Sequence, residues 1–493
     1  MNCRLSSIRS LILLILLAIR ICKANNEWGR CPVFCGLVGQ IPNSNCSVKQ
    51  LDSFNVKVNE LLSQIIVRPY FRFYKTQLKP NCSFWPPVEK CFGQGCSVDP
   101  CSTKDLPDQI ARNWNSNTLQ YSHTICEAND PLGNLDMSSK TLCQQNCEAK
   151  GCSSQQYIFG YPTFCDIPDD EDNPDSVFVD LQKNPERYTG YRGESSWRIW
   201  KAIYDENCCW SLTNKCRRNA SPVQNASVSK LAANPDDSQN IEHACLENKI
   251  FYSIVSGFHT SVNIHVCAQF YFPDSLLTDK WDYNLPEFTR RFGSAQTNGQ
   301  GTCFLKNLYF VYLLELRALI KATPYLRTLQ YDDGATKCRD ELSGNIFNNE
   351  EQPHCCTTST FISSQCLMNK FLDYVNSLDC MFDESTMFQT DSVSFMDDVD
   401  RSCLSDAIKE TFRSKFVNIT KIMDCVACDK CRMWGRIQIK AIARSSYSHS
   451  DIIPQLKRSQ VVALMNGFAR CSESLQHIVH FRKMSNEMFH SEL

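Results

Sequence analysis

Cys425, Cys428 and Cys431 stand at a three-residue repeat inside Cys425-Val-Ala-Cys428-Asp-Lys-Cys431-Arg-Met-Trp434-Gly435, and no other feature constrains the fold as much. On a helix or tight turn, Cys428 and Cys431 share one face and come close enough for a short, reducible disulfide. Cys425 is then left for a partner from a distant part of the chain. The spacing suits redox work, but in a reducing cytosol it would favour a metal site, so the compartment matters first.

The N-terminus indicates that compartment. Arg4 and Arg9 precede the apolar run Leu11 to Ala18, and a polar stretch through Lys23-Ala24-Asn25 follows. This is the charged, apolar and small-residue order of a secretory signal, over a run too short to span a bilayer comfortably. Cleavage near Ala24 makes residues 1–24 a signal peptide and leaves 28 of the 30 cysteines in the mature chain. No later stretch is apolar enough to serve as an anchor. Sequons at Asn45, Asn81, Asn219, Asn225 and Asn418 fit a lumenal chain. The last four residues, His490-Ser491-Glu492-Leu493, are similar to the Lys/His-Asp-Glu-Leu retrieval signal, with Ser491 where Asp is preferred. The expected location is the endoplasmic reticulum lumen.

With 493 residues, 43% apolar and 21% charged, the chain can bury a large core without disulfides, so its cysteines are not all staples. Net charge is −2 and basic residues are scattered, which speaks against nucleic acid as a partner and leaves membrane association at most peripheral.

The pattern predicts a mainly α fold. Residues 25–165 are cysteine-dense and loop-rich, with one helix over Val48 to Ile66 opened by Ser47. Residues 166–480 form one helical domain with that region, and 481–493 form a tail. Leu246 to Gln269, Lys306 to Lys321, Cys366 to Leu378 and Ser459 to Phe481 repeat apolar residues at three and four. Polar stretches at 211–240, 294–302 and 381–402 read as exposed connectors. There is neither strand–helix alternation nor Gly-x-Gly-x-x-Gly, so the fold is not Rossmann-like and a flavin would sit among helices.

A second cysteine cluster, Cys82-Ser-Phe-Trp-Pro-Pro-Val-Glu-Lys-Cys91-Phe-Gly-Gln-Gly-Cys96-Ser-Val-Asp-Pro-Cys101, carries Gly93 and Gly95 between Cys91 and Cys96. Those glycines make the loop pliable, so a disulfide there can move toward a partner and exchange; the alternative is a static bridge.

With these clusters, Asn184-Pro-Glu-Arg187-Tyr-Thr189-Gly-Tyr191, Trp197-Arg-Ile-Trp200, Ser256-Gly-Phe-His259, Asn307-Leu-Tyr-Phe310 and Glu315-Leu-Arg317-Ala-Leu occur in order. From about residue 31 to 471 the chain resembles the endoplasmic reticulum oxidoreductins, flavin-dependent sulfhydryl oxidases that reoxidise protein disulfide isomerase. The resemblance implies an inner disulfide Cys428–Cys431, an outer shuttle Cys91–Cys96, and relay from isomerase-type thioredoxin-fold proteins through FAD to oxygen, giving hydrogen peroxide. Cys431 would face the flavin and Cys428 the shuttle. It implies FAD contacts at Arg187, Thr189, Trp200, Ser256, His259 and Arg291. It also implies pairings of Cys82 with Cys425 and Cys208 with Cys245, and regulatory Cys101 and Cys126 that capture Cys96 and Cys91.

Some positions depart from the family pattern. Gln300-Gly-Thr-Cys303-Phe304-Leu-Lys306 lacks an expected phosphate-binding arginine, for which Lys306 could supply charge without the guanidinium fork. Ile437-Gln-Ile-Lys-Ala-Ile-Ala443 replaces an expected glycine-containing helix. Cys31, Cys35 and Cys46 are an odd set, and cysteines such as Cys303, Cys366, Cys380 and Cys471 have no assigned partner. Zinc at the triplet is disfavoured for want of nearby ligands, so no metal is expected. The competing class is a non-enzymatic, disulfide-rich lumenal binding protein.

Overall fold

The structure is a computed structural model of the chain. It describes residues 44–79, 82, 84, 96–102, 104–107, 110, 173–186, 198–204, 250–265, 285–292, 299–331, 338–339, 346–347, 363–381, 414–446 and 456–491.

Helix α1 (Val48–Ile65) opens on Ser47, whose hydroxyl oxygen accepts from the Gln50 N–H at 3.2 Å. Its apolar stripe, Leu51, Phe54, Val58, Leu61, Leu62 and Ile65, is buried. The short helix α2 (Pro69–Arg72) runs directly into strand β1 (Phe73–Thr76). Strand β2 (Val177–Asp180) pairs antiparallel with β1, Phe73 opposite Asp180 and Thr76 opposite Val177. Arg72 forks onto Asp180 across this pair, with contacts of 2.7 and 2.5 Å. Pro100 adds a bridge to Val179, and the Cys101 N–H donates to the Phe178 carbonyl at 2.8 Å.

Helical segments at 198–204 and 250–265 precede α3 (Leu285–Phe292) and the long α4 (Gly299–Thr328). A two-residue antiparallel pair, β3 (Cys338–Arg339) with β4 (Ile346–Phe347), leads to α5 (Ser364–Asn376), capped by Ser363. Helical residues 414–423 precede α6 (Asp429–Ser445) and α7 (Arg458–Ser491). The described sheets are small and the architecture is helical.

Leu308 to Leu314 of α4 are all buried, as a helix enclosed by others requires. Helix α7 packs on α1, α2, α3, α4, α6 and β1. Two glycines set close approaches. A Cβ at Gly467 of α7 would lie 2.4 Å from the Ala441 Cβ of α6, and one at Gly257 would lie 2.3 Å from the Asn307 carbonyl oxygen of α4. The 437–443 departure is accommodated because α6 is wedged between two apolar clusters. Ile439, Ile442 and Ala443 join the main core, while Met433, Trp434 and Ile437 pack with Tyr74, Val98 and Val179.

Two boundaries differ from the sequence reading. Helix α4 begins at Gly299, inside the stretch read as a connector. Burial of the apolar residues that follow outweighs the weak helix propensity of Gly299-Gln-Gly301. Helix α7 runs to Ser491 rather than yielding a separate tail at 481. Phe481 is buried and stacks on Phe288 with centroids 4.4 Å apart, which holds the helix to the core at that boundary. A disulfide between Cys46 and Cys380, Cα atoms 5.1 Å apart, ties the start of α1 to the end of α5.

Among the described residues no helix is long and apolar enough to cross a membrane. Residues 1–43, with the expected signal peptide, lie outside the described set. Of the sequons, Asn45 is exposed. Asn418 lies in a helical turn whose Thr420 is buried and donates to the Phe416 carbonyl, so that site is poorly presented for glycosylation.

Candidate functional site

Cys428 occupies the N-cap of α6 in extended geometry, and Cys431 lies in its first turn. Both are buried. They are thiols hydrogen-bonded to each other, so the structure presents the reduced form of the pair expected to close a disulfide. The Cys431 hydrogen bond, helped by backbone N–H groups of the first turn, holds Cys428 below the ordinary thiol value. Burial pushes Cys431 well above it. Negative charge on the dithiol therefore belongs on Cys428.

Guanidinium groups pin this first turn. Arg432 donates to the Val426 carbonyl (3.2 Å), the Asp429 carboxylate (2.8 Å) and the Leu78 carbonyl (2.5 Å). Arg436 reaches the Gln77 carbonyl at 3.3 Å and Asp424 at 3.5 Å. The strand-end segment at 77–78 is thereby fixed beside the dithiol, and just beyond it Cys82 is disulfide-bonded to Cys425.

The segment carrying Cys96 is strung across the same surface. The Lys430 N–H donates to the Cys96 carbonyl at 3.0 Å, so one end is bonded to the first turn of α6. The other end is bonded to β2 through Cys101. Between them Asn184 clamps Asp99, accepting from its N–H (2.9 Å) and donating to its carbonyl (3.1 Å). Cys96 is half-buried and disulfide-bonded, whereas Cys101 is a half-buried thiol raised by burial. The Cys96 partner is therefore a cysteine other than Cys101. Cys91, Cys126, Cys208 and Cys245 lie outside the described residues.

Sequence reasoning missed the groups behind Cys431. The buried Glu186 carboxylate forms an ion pair with Arg470 of α7 and accepts a hydrogen bond from the Cys431 thiol. Burial raises Glu186 despite the opposing pull of Arg470. Trp434, one turn past Cys431, donates its indole N–H to the Asn184 carbonyl at 2.8 Å, and the Arg470 guanidinium carbon lies 5.5 Å from its ring. Glu186 and Asn184 stand in the motif Asn184-Pro-Glu-Arg187, noted for its basic and hydroxyl residues. The acidic member meets the Cys431 thiol, while the amide member clamps Asp99 and its carbonyl receives the Trp434 indole. Arg470 carried no local signal.

Trp200, Ser256 and His259 come together. The Trp200 and His259 rings stack with centroids 3.8 Å apart and planes 24° from parallel. The Tyr204 hydroxyl lies 2.9 Å from His259 Nδ1, and Asn307 donates to Ser256 Oγ at 2.9 Å. Ser256 is fully buried, and its own hydroxyl hydrogen meets no acceptor among the described residues. A flat aromatic face beside a buried hydroxyl donor fits a ligand with an aromatic ring system and polar substituents. Lys306, half-buried, is adjacent to Asn307. Arg187, Thr189 and the Arg291 side chain, though Arg291 belongs to α3, are outside the described set.

The family model described as Endoplasmic Reticulum Oxidoreductin 1 matches residues 57–478. ERO1-like protein alpha of Mus musculus is 32% identical over 472 residues, covering 92% of this chain and 91% of that protein. Ero1-like protein of Drosophila melanogaster is 32% identical over 489 residues, covering 91% and 90%. Among solved structures, that of Ero1p titled as a source of disulfide bonds for oxidative protein folding in the cell is 25% identical, with a TM-score of 0.50 over 90% of this chain and all of that one. With a family match across most of its length and relatives above 30% identity, the chain belongs to the Endoplasmic Reticulum Oxidoreductin 1 family, oxidoreductases of disulfide formation.

Proposed function

We propose that the chain is an FAD-dependent sulfhydryl oxidase of the endoplasmic reticulum lumen that oxidises protein disulfide isomerase-type substrates and uses oxygen as acceptor, giving hydrogen peroxide. The observation that supports it most is the Lys430 to Cys96 hydrogen bond. It tethers a half-buried, disulfide-bonded cysteine to the turn that carries the buried Cys428–Cys431 dithiol.

Two pairs are needed because a folded substrate cannot reach a buried pair. A substrate thiolate attacks the Cys91–Cys96 disulfide, and the second substrate thiol resolves the mixed disulfide, leaving a shuttle dithiol. A shuttle thiolate then attacks Cys428 of an oxidised inner pair with Cys431 as leaving group, and the second shuttle thiol releases Cys428. About 30 mV between couples, roughly 1.4 kcal/mol, biases each two-electron exchange tenfold.

Reoxidation of Cys428 and Cys431 must remove two electrons and two protons. Glu186 is placed to take the Cys431 proton, with Arg470 balancing its charge. FAD, when bound, supplies the two-electron acceptor that oxygen regenerates. Trp200, Ser256 and His259 would hold it together with Arg187, Thr189 and Arg291, and Asn307 orients the Ser256 hydroxyl. Cys101 and Cys126 would lower activity by capturing Cys96 and Cys91.

An anaerobic titration of the purified protein with reduced isomerase, followed by visible absorbance, tests the reading. Wild type should be yellow and bleach; Cys431→Ala should be yellow and fail to bleach. A colourless protein without peroxide production would overturn it and favour a binding protein.

A further inference from the structure

The geometry points to a binding site for a zinc-class divalent cation formed by His265, Glu473 and His477. A ring nitrogen from each histidine and a carboxylate oxygen of Glu473 all lie within 4.8 Å of one another. Glu473 and His477 are four apart on α7, on one face of the helix, and His265 projects from the helical segment 250–265 packed beside it. The two imidazoles meet edge to face, with centroids 5.6 Å apart and planes at 89°. This site is separate from the cysteine triplet weighed as a metal centre from sequence.

The second observation is an orphaned ring nitrogen. His265 is 2% exposed, and its Nδ1 has no hydrogen-bond partner. Its Nε2 lies 3.1 Å from Ser474 Oγ, whose hydroxyl donates to the Arg470 carbonyl at 2.9 Å and also meets Ser261 Oγ at 2.7 Å. Ser474 holds the ring through Nε2 and leaves Nδ1 open to a further partner, as when a metal-binding imidazole is oriented through its other ring nitrogen.

The other ligands suit the same ion. One Glu473 oxygen lies 3.7 Å from His477 Nε2, and the other lies 3.5 Å from Arg470 Nη1. Arg470 is the cation nearest a bound metal, and it is already paired with Glu186. The Glu473 and His477 side chains are 41% and 12% exposed, so solvent can complete the coordination. Two histidines and a glutamate with an open position form a recurring zinc donor set. Ligands about 2.0–2.1 Å from a tetrahedral ion stand roughly 3.4 Å apart, a contraction that falls chiefly to the rotamer of Glu473, the more exposed of the pair on α7.

The test is titration of the oxidised, full-length protein with cobalt(II), followed by displacement with zinc(II). Wild type should bind one equivalent at this site with visible d–d bands and no thiolate-to-cobalt charge transfer, and the Cys428→Ala/Cys431→Ala variant should behave alike. His477→Ala and Glu473→Gln, at partly exposed positions, should each weaken binding by at least about a hundredfold, beyond what loss of an outer-shell partner costs. Unchanged affinity in both variants, no uptake by wild type, or bands that carry sulfur charge transfer and vanish with Cys428 and Cys431 would each overturn the site. Melting temperatures without metal show whether the variants remain folded, and saturating zinc should raise that of wild type alone.

Discussion

At the scale of single residues, the chemistry turns on which buried groups hold protons. Cys431 is pushed up by burial while Cys428 is held down, so in the proposed reoxidation the proton to be removed starts on Cys431, against Glu186. Glu186→Gln keeps shape and hydrogen bonding but removes the base. It should slow reoxidation of the inner pair by about a hundredfold or more while leaving KM for the substrate unchanged, as measured by rapid mixing and steady-state oxygen uptake. A second buried acid reports on stability. Glu315 of α4 is pushed up to about 8 by burial, against a weaker opposing hydrogen bond from Cys471. Its folded value is raised above the unfolded one, so its favourable contribution is fully present below about pH 4.5 and is lost as pH rises toward 8. Glu315→Gln should remove that slope, on the order of a few kcal/mol, in urea midpoints taken from pH 5 to 8. The proximity of Cys428 and Cys431 was legible in the sequence because their spacing alone brings the two thiols together. Glu186, Arg470 and Glu315 were not, since an acid becomes a proton acceptor or a buried neutral group only through a tertiary environment.

At the scale of elements, the existence of α1, α4, α5 and α7 followed from local pattern, whereas α3, the helical segments at 198–204 and 414–423, and the helix ends and contacts did not. The α1 stripe and its Ser47 cap are written within a few residues of one another, so both could be read. The start of α4 at Gly299 and the run of α7 to Ser491 depend on burial against distant helices, which outweighs propensity. The α6–α7 contact is the clearest such case. Gly467 permits an approach that a single methyl group would block, because Ala441 on the facing helix already fills the space. Gly467→Ala should therefore destabilise by roughly 1–3 kcal/mol despite the better helix propensity of alanine. A gain in urea midpoint instead would mean that the helices separate easily. Ala441→Gly in the Gly467→Ala background should recover part of the loss, as expected for a pairwise steric clash.

At the scale of the whole molecule, two long-range disulfides with both cysteines among the described residues join the N-terminal region to the helical body, and different work is expected of them. Cys46–Cys380 and Cys82–Cys425 span 334 and 343 residues, so each should restrict the unfolded chain to a similar degree, with removal costing roughly 2–5 kcal/mol. Their surroundings separate them. Cys46–Cys380 holds α1 to α5, whereas Cys425 lies three residues before Cys428 and Cys82 precedes the segment carrying Cys96. In the proposed relay, disulfide transfer between shuttle and inner pair is an intramolecular exchange whose rate would follow effective concentration. The hydrogen bonds at Cys96, Asp99 and Cys101, each contributing about 1 kcal/mol, form a weaker tether than the covalent link. Cys46→Ala/Cys380→Ala should thus lower the urea midpoint and leave oxygen uptake with reduced isomerase near wild type at temperatures where the protein stays folded. Cys82→Ala/Cys425→Ala should lower the midpoint comparably and also slow uptake, while reduction of the inner pair by a small dithiol persists. Equal loss of uptake in both variants, in proportion to their loss of stability, would show that the relay depends on overall rigidity rather than on the tether between Cys82 and Cys425.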